Sequence, residues 1–366
     1  MTMWVLFFLL AGLICMVAGA ELLVRGASRM ASLAGLPPLV IGLTVVSFGT
    51  SAPEMAVSIQ AALNGQADIA LGNVIGSNVF NVLAILGISA LISSLVVSRQ
   101  LVRLDVPVMI GVSVLLWLMA WDGRISRTDG LILLLGAVGY TGFLLIQARQ
   151  GSDKDVDRED DPSGKGASGG RGARVWLLNG GLVLAGLVLL VVGSNWLVDG
   201  AVTIAEALGV SQLVIGLTVV AAGTSLPELA TSVIASLRGE RDIAVGNVVG
   251  SNIYNILFIL GAAAVVGNGV GVAPGVLYFD MPVMLAVAVA CLPIFFTGYT
   301  IARWEGAVFL GYYVAYTVYI VLAATQHETL DIFGTVMLAF VVPITVLTLG
   351  VVLWRSLRQP QSGHHV

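Results

Sequence analysis

Long apolar runs separated by short polar stretches recur along the whole chain. An apolar run of about 20 residues is long enough to cross a bilayer as a helix. Eleven such runs lie at about residues 3–24, 37–63, 68–92, 104–122, 128–148, 175–197, 211–237, 242–266, 279–297, 304–324 and 331–354. The pattern therefore predicts an all-α polytopic membrane protein.

One polar segment, residues 149–174, separates two halves that repeat each other. Residues 39–90 align with residues 213–264 without a gap, and 33 of these 52 positions are identical. Each half holds five spans, and an odd number forces the second half to enter the membrane upside down. We expect two inverted five-helix repeats joined by a flexible linker, and one extra C-terminal transmembrane helix with a tail. The corresponding segments are 1–148, 149–174, 175–325 and 326–366.

The distribution of basic residues predicts how the spans are oriented. When loops are assigned alternately to the two sides of the membrane, fifteen Arg and Lys residues fall on one side. Only Arg124 and Arg127 fall on the other side. Because basic loops stay in the cytoplasm, we expect the N-terminus outside and both the linker and the C-terminus in the cytoplasm. The membrane expected is the inner (plasma) membrane.

The composition excludes a water-soluble domain. The chain is 58% hydrophobic and 10% charged, whereas a soluble domain carries roughly 25% charged residues. The expected surroundings are therefore a lipid bilayer, with no nucleic-acid partner, and a monomer is the expected functional unit. Cys15 and Cys291 lie in apolar spans, which is typical of core residues rather than a disulfide. No histidine falls within a span, so a histidine metal site in the membrane is not expected.

A carboxylate stands in the middle of two apolar spans, directly after a helix breaker. The sequence Gly-Thr-Ser-Ala-Pro-Glu at 49–54 is matched by Gly-Thr-Ser-Leu-Pro-Glu at 223–228. A charge at membrane depth costs at least about 2.5 kcal/mol, so each glutamate indicates a functional site. Pro53 also deprives the carbonyl of Gly49 of its helical partner. We therefore expect a kinked or broken helix near residues 47–52.

The following span in each half carries a polar stripe with a spacing of four residues, which places its members on one helix face. The stripe is Asn73, Ser77 and Asn81 in the first half and Asn247, Ser251 and Asn255 in the second. For Asn73 and Asn247, ion ligation and hydrogen bonding between helices are equally good interpretations. The midspan depth of the other four favours a site.

Several further polar residues have simpler interpretations. Asn78 and Asn252 lie slightly off the stripe and are expected to cap or brace nearby backbone. Asp105 and Asp280 stand at span ends, which predicts helix capping. Glu21 lies near the cytoplasmic end of the first span, where it is expected to cap or to reach towards water.

The groups gathered by these motifs are all oxygen donors. Carboxylate, hydroxyl, amide and backbone oxygens suit calcium, magnesium, manganese or sodium rather than zinc or copper. Two glutamates neutralise one divalent cation, and mixed ligation at variable angles suits calcium better than magnesium. The same oxygens could hold several sodium ions instead. The sequence therefore predicts a hard-cation site shared by the two halves.

The paired motifs resemble the two alpha-repeats of the cation/calcium exchanger superfamily, prokaryotic sodium/calcium antiporters in particular. The resemblance rests on 49–54 with Gly-Asn-Val-Ile-Gly-Ser-Asn-Val-Phe-Asn at 72–81, and on 223–228 with 246–255. It implies ten core helices in two inverted halves and sodium/calcium antiport. It also implies alternating access by sliding of the first and sixth helices.

The resemblance further implies a set of ligands. Glu54 and Glu228 would be the calcium carboxylates, with the carbonyls of Thr50 and Thr224. The implied sodium ligands are Ser51, Ser77, Ser225 and Ser251 with the backbone of Ser47 and Ala221, and Asn81 and Asn255 would close the centre. Some sodium exchangers of this family carry an aspartate at the position of Asn255, whereas both copies here carry asparagine.

The expected function is secondary active antiport of Ca²⁺ against Na⁺, with both ions competing for one midplane site. The protein would be a transporter rather than an enzyme and would need no cofactor, since both ions bind as substrates. A proton-coupled or K⁺-coupled calcium antiporter on the same fold is the alternative. A cation channel is a weaker alternative, and it would show conductance that does not depend on a counter-ion. An intramembrane hydrolase is the weakest, because the breaker and hydroxyl pattern around the glutamates has no catalytic purpose.

Overall fold

The computed structural model describes residues 3–156, 169–208 and 221–358, and these are almost entirely helical. The helices of the first half are α1 (Met3–Ala34), α2 (Pro38–Ile41), α3 (Ser47–Thr50), α4 (Ala52–Leu63), α5 (Ala67–Phe80), α6 (Gly87–Ile92), α7 (Val106–Met119) and α8 (Arg127–Val156). Three π-helical segments, Gly42–Val46, Asn81–Leu86 and Leu101–Asp105, and a 3₁₀ turn, Ala120–Asp122, continue these helices. The short strands are β1 (Leu95–Val96) and β2 (Arg124–Ile125).

The second half follows the same plan. Its helices are α9 (Gly169–Ala207), α10 (Ala221–Gly223), α11 (Leu226–Leu237), α12 (Arg241–Tyr254), α13 (Gly261–Val266), α14 (Met281–Phe296) and α15 (Arg303–Ala324), and the chain ends in α16 (Leu330–Val336) and α17 (Val342–Arg358). The π-helical segments are Asn255–Leu260, Val276–Asp280 and Met337–Val341, and the strands are β3 (Val270–Gly271) and β4 (Thr300–Ile301).

The helices confirm the predicted all-α membrane class. Within the described ranges, nine helices are long and apolar enough to cross a membrane, and one bent pair, Pro38–Thr50 with Ala52–Leu63, makes a tenth. The first part of the predicted span 211–237 lies outside the described residues. Helix α8 continues to Val156 and α9 begins at Gly169, so helices occupy both ends of the predicted linker 149–174. Residues 157–168 are not among those described.

Helices α1 and α9 pack against each other along glycines spaced by seven residues. A Cβ added to Gly19 would lie 2.8 Å from the carbonyl oxygen of Gly186, and one added to Gly12 would lie 2.9 Å from that of Gly193. Only a residue without a side chain permits this approach. Gly12 of α1 contacts Gly193 of α9, and Gly19 contacts Gly186, so the residue numbers rise along one helix as they fall along the other. The two helices therefore run antiparallel. This is the relative direction that an inverted repeat requires of its first spans.

Two short strand pairs join the halves of the chain. Strand β1 pairs antiparallel with β4, and β2 pairs antiparallel with β3. Each pair takes one strand from each half, so neither half has a complete pair of its own. We call these pairs the two clasps.

The most buried spans lie at the centre of the molecule. Within the span Ala67–Ile92, 78% of an apolar stretch of 18 residues is buried, and within Arg241–Val266 the buried share of such a stretch is 83%. These are the spans that carry the two polar stripes. None of the C-terminal span Leu330–Thr348 is buried, so this helix lies at the periphery.

The expectation that two aspartates cap helices is wrong. Asp105 and Asp280 have helical backbone and make no capping hydrogen bond, because a π-helical segment runs continuously into the following helix. Each carboxylate instead accepts a hydrogen bond of 3.0 Å from a tyrosine hydroxyl, Tyr140 for Asp105 and Tyr316 for Asp280. These aspartates therefore tie neighbouring spans together in both halves.

Candidate cation site

The expected helix break is present in the first half. The helix axis bends by 48° between residues 38–50 and 52–63, and Ser51 at the bend has φ −78° and ψ 12°. Pro53 occupies the first turn of α4, where a missing N–H costs no helical hydrogen bond. This places Glu54 in the first turn as well. Helix α11 begins in the same way after Ser225, with Glu228 in its first turn.

Each glutamate is buried and receives a serine from the other half. Glu54 and Glu228 are both fully buried, with no exposed surface. Ser225 donates a hydrogen bond of 2.7 Å to Glu54 Oε1, and Ser51 donates one of 2.8 Å to Glu228 Oε1. Neither carboxylate has a basic partner within salt-bridge distance among the described residues. The break in each half thus supplies one acid to the site and one donor to the opposite acid.

Threonine and asparagine side chains form a second set of bonds across the halves. Thr50 donates to Asn247 Oδ1 at 3.1 Å, and Thr224 donates to Asn73 Oδ1 at 3.2 Å. The Nδ2 atom of Asn73 donates to the backbone oxygen of Glu54 and to Ser58, and Asn247 repeats both bonds in the second half. Both ends of each amide are occupied. Of the two interpretations left open for Asn73 and Asn247, the geometry favours hydrogen bonding between helices.

Ser251, Ser47 and Ala221 complete the list of expected ligands. Ser251 Oγ lies 3.2 Å from Ser51 Oγ and 3.4 Å from the carbonyl oxygen of Ser47. The backbone of Ser47 is therefore at the site. Ala221 begins the short helix α10, and no contact of its backbone with the carboxylates is among the described contacts.

Among the buried side-chain oxygens that have no hydrogen-bond partner within the described residues, five belong to residues expected as ligands. They are Glu54 Oε2, Glu228 Oε2, Ser77 Oγ, Asn81 Oδ1 and Asn255 Oδ1. A buried acceptor that stays unpaired costs about 1–3 kcal/mol, and more when it is charged. All five belong to residues expected as ligands, and all are hard donors of the kind that calcium and sodium take. The donor set therefore fits a hard cation.

Two residues beside the stripe contribute more than the sequence indicated. Asn78 and Asn252, which are 2% and 3% exposed, hydrogen bond to each other and to the expected ligands Asn255 and Asn81 across the halves. The sequence carried a signal for this role, because asparagine stands at this position in both copies of the repeat, next to the stripe. Each stripe also ends where a π-helical segment begins, at Asn81 and at Asn255, and such segments are frequent at functional sites.

Glu21 was expected to cap or to reach towards water, but it forms ion pairs. Its carboxylate lies 2.6 Å from Arg25 on the same helix and also contacts Arg238, which follows α11. Ser28 on α1 donates a hydrogen bond of 2.7 Å to Glu240. One end of α1 is thus tied to the turn between α11 and α12.

Comparison with known proteins gives a consistent picture. The family model described as "Sodium/calcium exchanger protein" matches residues 4–146 and 178–322. The Sodium/calcium exchanger MaX1 of Methanosarcina acetivorans is 35% identical over 338 residues, covering 85% of this chain and 96% of that protein. The Inner membrane protein YrbG of Escherichia coli is 40% identical over 284 residues, covering 77% of this chain and 85% of that protein.

The fold agrees with a solved structure of the same kind. The sodium-calcium exchanger NCX_Mj, soaked with 2.5 mM Na⁺ and 0.1 mM Ca²⁺, superposes with a TM-score of 0.72 at 30% sequence identity. The match covers 86% of this chain and 97% of that one. The chain is a multi-pass membrane transporter and belongs to the sodium/calcium exchanger family.

Proposed function

We propose that the protein exchanges Ca²⁺ for Na⁺ at the site between Glu54 and Glu228, and that it exports Ca²⁺ at the expense of inward Na⁺ flow. The observation that carries this proposal is the group of five buried oxygens that have no hydrogen-bond partner among the described residues. Two of them belong to Glu54 and Glu228, which have no basic partner in the same ranges. One Ca²⁺ balances the two charges, and Na⁺ ions bound by the same oxygens balance them alternatively. The two cations therefore compete.

The same charges explain why transport of one ion requires the other. Without a cation, the two carboxylates form a doubly negative site, and a charge crossing an apolar layer is costly. A loaded site is close to neutral, so the α1 and α9 pair can move past it and change the side from which it is reached. Alternating access is thereby restricted to loaded states, which makes the transport an exchange.

The proposed arrangement in the membrane follows the predicted inversion. Segments 1–148 and 175–325 form the two repeats, with the N-terminus outside and the 149–174 linker and the C-terminus in the cytoplasm. The excess of basic residues on one set of loops supports this orientation. The antiparallel packing of α1 and α9 supports the inversion.

Calcium flux in liposomes under an imposed sodium gradient tests the proposed site. We expect Glu54→Gln and Glu228→Gln each to lower exchange at least about 100-fold. One carboxylate then balances only half of the charge of a bound Ca²⁺, and an uncompensated buried charge costs about 3 kcal/mol or more. Glu328→Gln, at an exposed loop position, is the matched control and should exchange at the parent rate. Full exchange by either site variant would refute the mechanism.

A proton-coupled or K⁺-coupled calcium antiporter is the second candidate. It is favoured by the presence of asparagine at both Asn81 and Asn255, which leaves two acidic groups at the centre. Imposing sodium, potassium and proton gradients in turn, with the other gradients clamped by ionophores, identifies the coupling ion. Conductance that needs no counter-ion would indicate a channel instead.

A further inference from the structure

We propose that Asn78 and Asn252 are positioning residues that turn the amides of Asn255 and Asn81 so that carbonyl oxygens face the cation. This inference rests on the proposed function, since it concerns the same site. A side-chain amide has a donor end and an acceptor end. Which end of Asn81 and Asn255 points inward decides whether each can bind a cation or would repel it.

The orientation of Asn252 is set by a backbone atom. Its Nδ2 donates to the carbonyl oxygen of Asn78 at 3.3 Å. A carbonyl oxygen only accepts hydrogen bonds, so the opposite orientation of the amide would place two acceptors together. The Oδ1 atom of Asn252 must therefore point the other way, and it points at Asn81.

Asn81 is oriented in turn by Asn252. Its Nδ2 donates to Asn252 Oδ1 at 3.0 Å, which leaves its own Oδ1 as one of the five unpartnered oxygens. The second half mirrors this arrangement. Asn78 Nδ2 donates to the carbonyl oxygen of Asn252 at 3.2 Å, and Asn255 Nδ2 donates to Asn78 Oδ1 at 3.0 Å. The Nδ2 atoms of Asn81 and Asn255 are thus directed at the supporting amides, and their Oδ1 atoms remain for the ion.

Neighbouring side chains prevent the supporting amides from turning. The Sδ atoms of Met284 and Met109 lie 3.6 Å from the Nδ2 atoms of Asn78 and Asn252, and sulfur accepts weak hydrogen bonds. Each supporting Nδ2 therefore has two acceptors, one strong and one weak. Because all four amides are buried, water does not offer an alternative partner.

The pairing crosses the halves, which gives the inference a specific signature. Asn78 supports Asn255 and not Asn81, although Asn81 lies one helical turn away on the same span. Asn252 likewise supports Asn81 and not Asn255. A general structural role of Asn78 would affect both ligands alike, whereas a positioning role affects Asn255 alone.

A double-mutant cycle on the apparent KM for Ca²⁺, measured by flux in liposomes, tests this. Asn78→Leu removes the acceptor that holds Asn255, and we expect KM to rise about tenfold with a smaller effect on kcat, as for the loss of one buried polar interaction. In an Asn255→Ala background the oxygen is already absent, so adding Asn78→Leu should change KM less than twofold. In an Asn81→Ala background, Asn78→Leu should retain its full effect.

If Asn78→Leu raises KM by the same factor in the Asn255→Ala and Asn81→Ala backgrounds, the positioning role is overturned while the proposed function stays intact. A parent protein that moves no Ca²⁺ under any imposed gradient would overturn the proposed function and this inference with it. If Asn78→Leu does not reach the membrane, Asn78→Ala removes the same oxygen with less bulk, and the same cycle decides.

Discussion

Ion pairs at one end of α1 have no counterpart in the other half. Glu21 contacts Arg25 and Arg238, and Ser28 bonds to Glu240. The repeat offset of 174 residues places uncharged Asn195 at the position of Glu21, and the positions of Arg238 and Glu240 are taken by Asn64 and Gln66, which are also uncharged. The two halves are identical at the glutamates of the site yet differ here. Under the proposed alternating access, we expect this difference to favour one of the two conformations.

Glu21→Gln should weaken that preference. Arg238 and Glu21 are 33% and 28% exposed, and a pair of this kind contributes at most about 1 kcal/mol. We expect a shift of up to about fivefold in the ratio of the two conformations, measured by fluorescence energy transfer between labels on α1 and α11. High salt should reduce the difference between variant and parent, because it screens partly exposed charges. Asn195→Gln is the matched control, and an equal shift in that variant would contradict the interpretation.

At the level of the helix, glycine contacts set how closely α1 and α9 approach each other. The backbones touch directly at these glycines, and side chains such as Leu9 and Met16 lie against glycines of the opposite helix. We expect Gly19→Ala to force the helices apart, because its Cβ would lie 2.8 Å from an oxygen and 2.9 Å from a nitrogen of α9. Overpacking of this kind costs about 1–3 kcal/mol.

Thermal unfolding in detergent and calcium flux measure the two effects of Gly19→Ala. Gly111→Ala is the control, since a Cβ at that position has no described atom within 4 Å. A Gly19→Ala protein with the stability and flux of the Gly111→Ala protein would show that the close approach is unimportant.

The elements were largely predictable from the sequence because their signals are local. Apolar run length predicts a span, and Pro53 predicts the break in front of Glu54. Partner choice across the halves is not local. Ser51 bonds to Glu228 rather than to Glu54 only because the two breaks face each other, and residue spacing carries no such information. The capping role expected of Asp105 failed for the same reason, since its tyrosine partner lies on another span.

For the molecule as a whole, the predicted orientation in the membrane can be read from the accessibility of its loops. In a background with Cys15→Ser and Cys291→Ser, we expect a membrane-impermeant maleimide to label Thr128→Cys in intact cells but not Gln100→Cys. Gln100 lies in the loop before span 104–122, and Thr128 lies at the start of span 128–148, next to the loop after span 104–122. These two loops are assigned to opposite sides, because span 104–122 separates them. Labelling of Gln100→Cys in intact cells, with Thr128→Cys protected, would invert the proposed topology. Both variants should be labelled once the membrane is opened with detergent.

Because each clasp pairs a strand of the first half with a strand of the second, neither clasp can form until much of the second half has been synthesised. Strand β1 is made roughly 200 residues before β4, so at about 5–20 residues per second it waits roughly 10–40 seconds for its partner. During that interval the first half has an open strand edge, and until residue 225 is made Glu54 also lacks the serine that hydrogen bonds to it. A chain that ends after the first half carries one member of each cross-half pair and no complete pair. Both halves are therefore needed to assemble the proposed site.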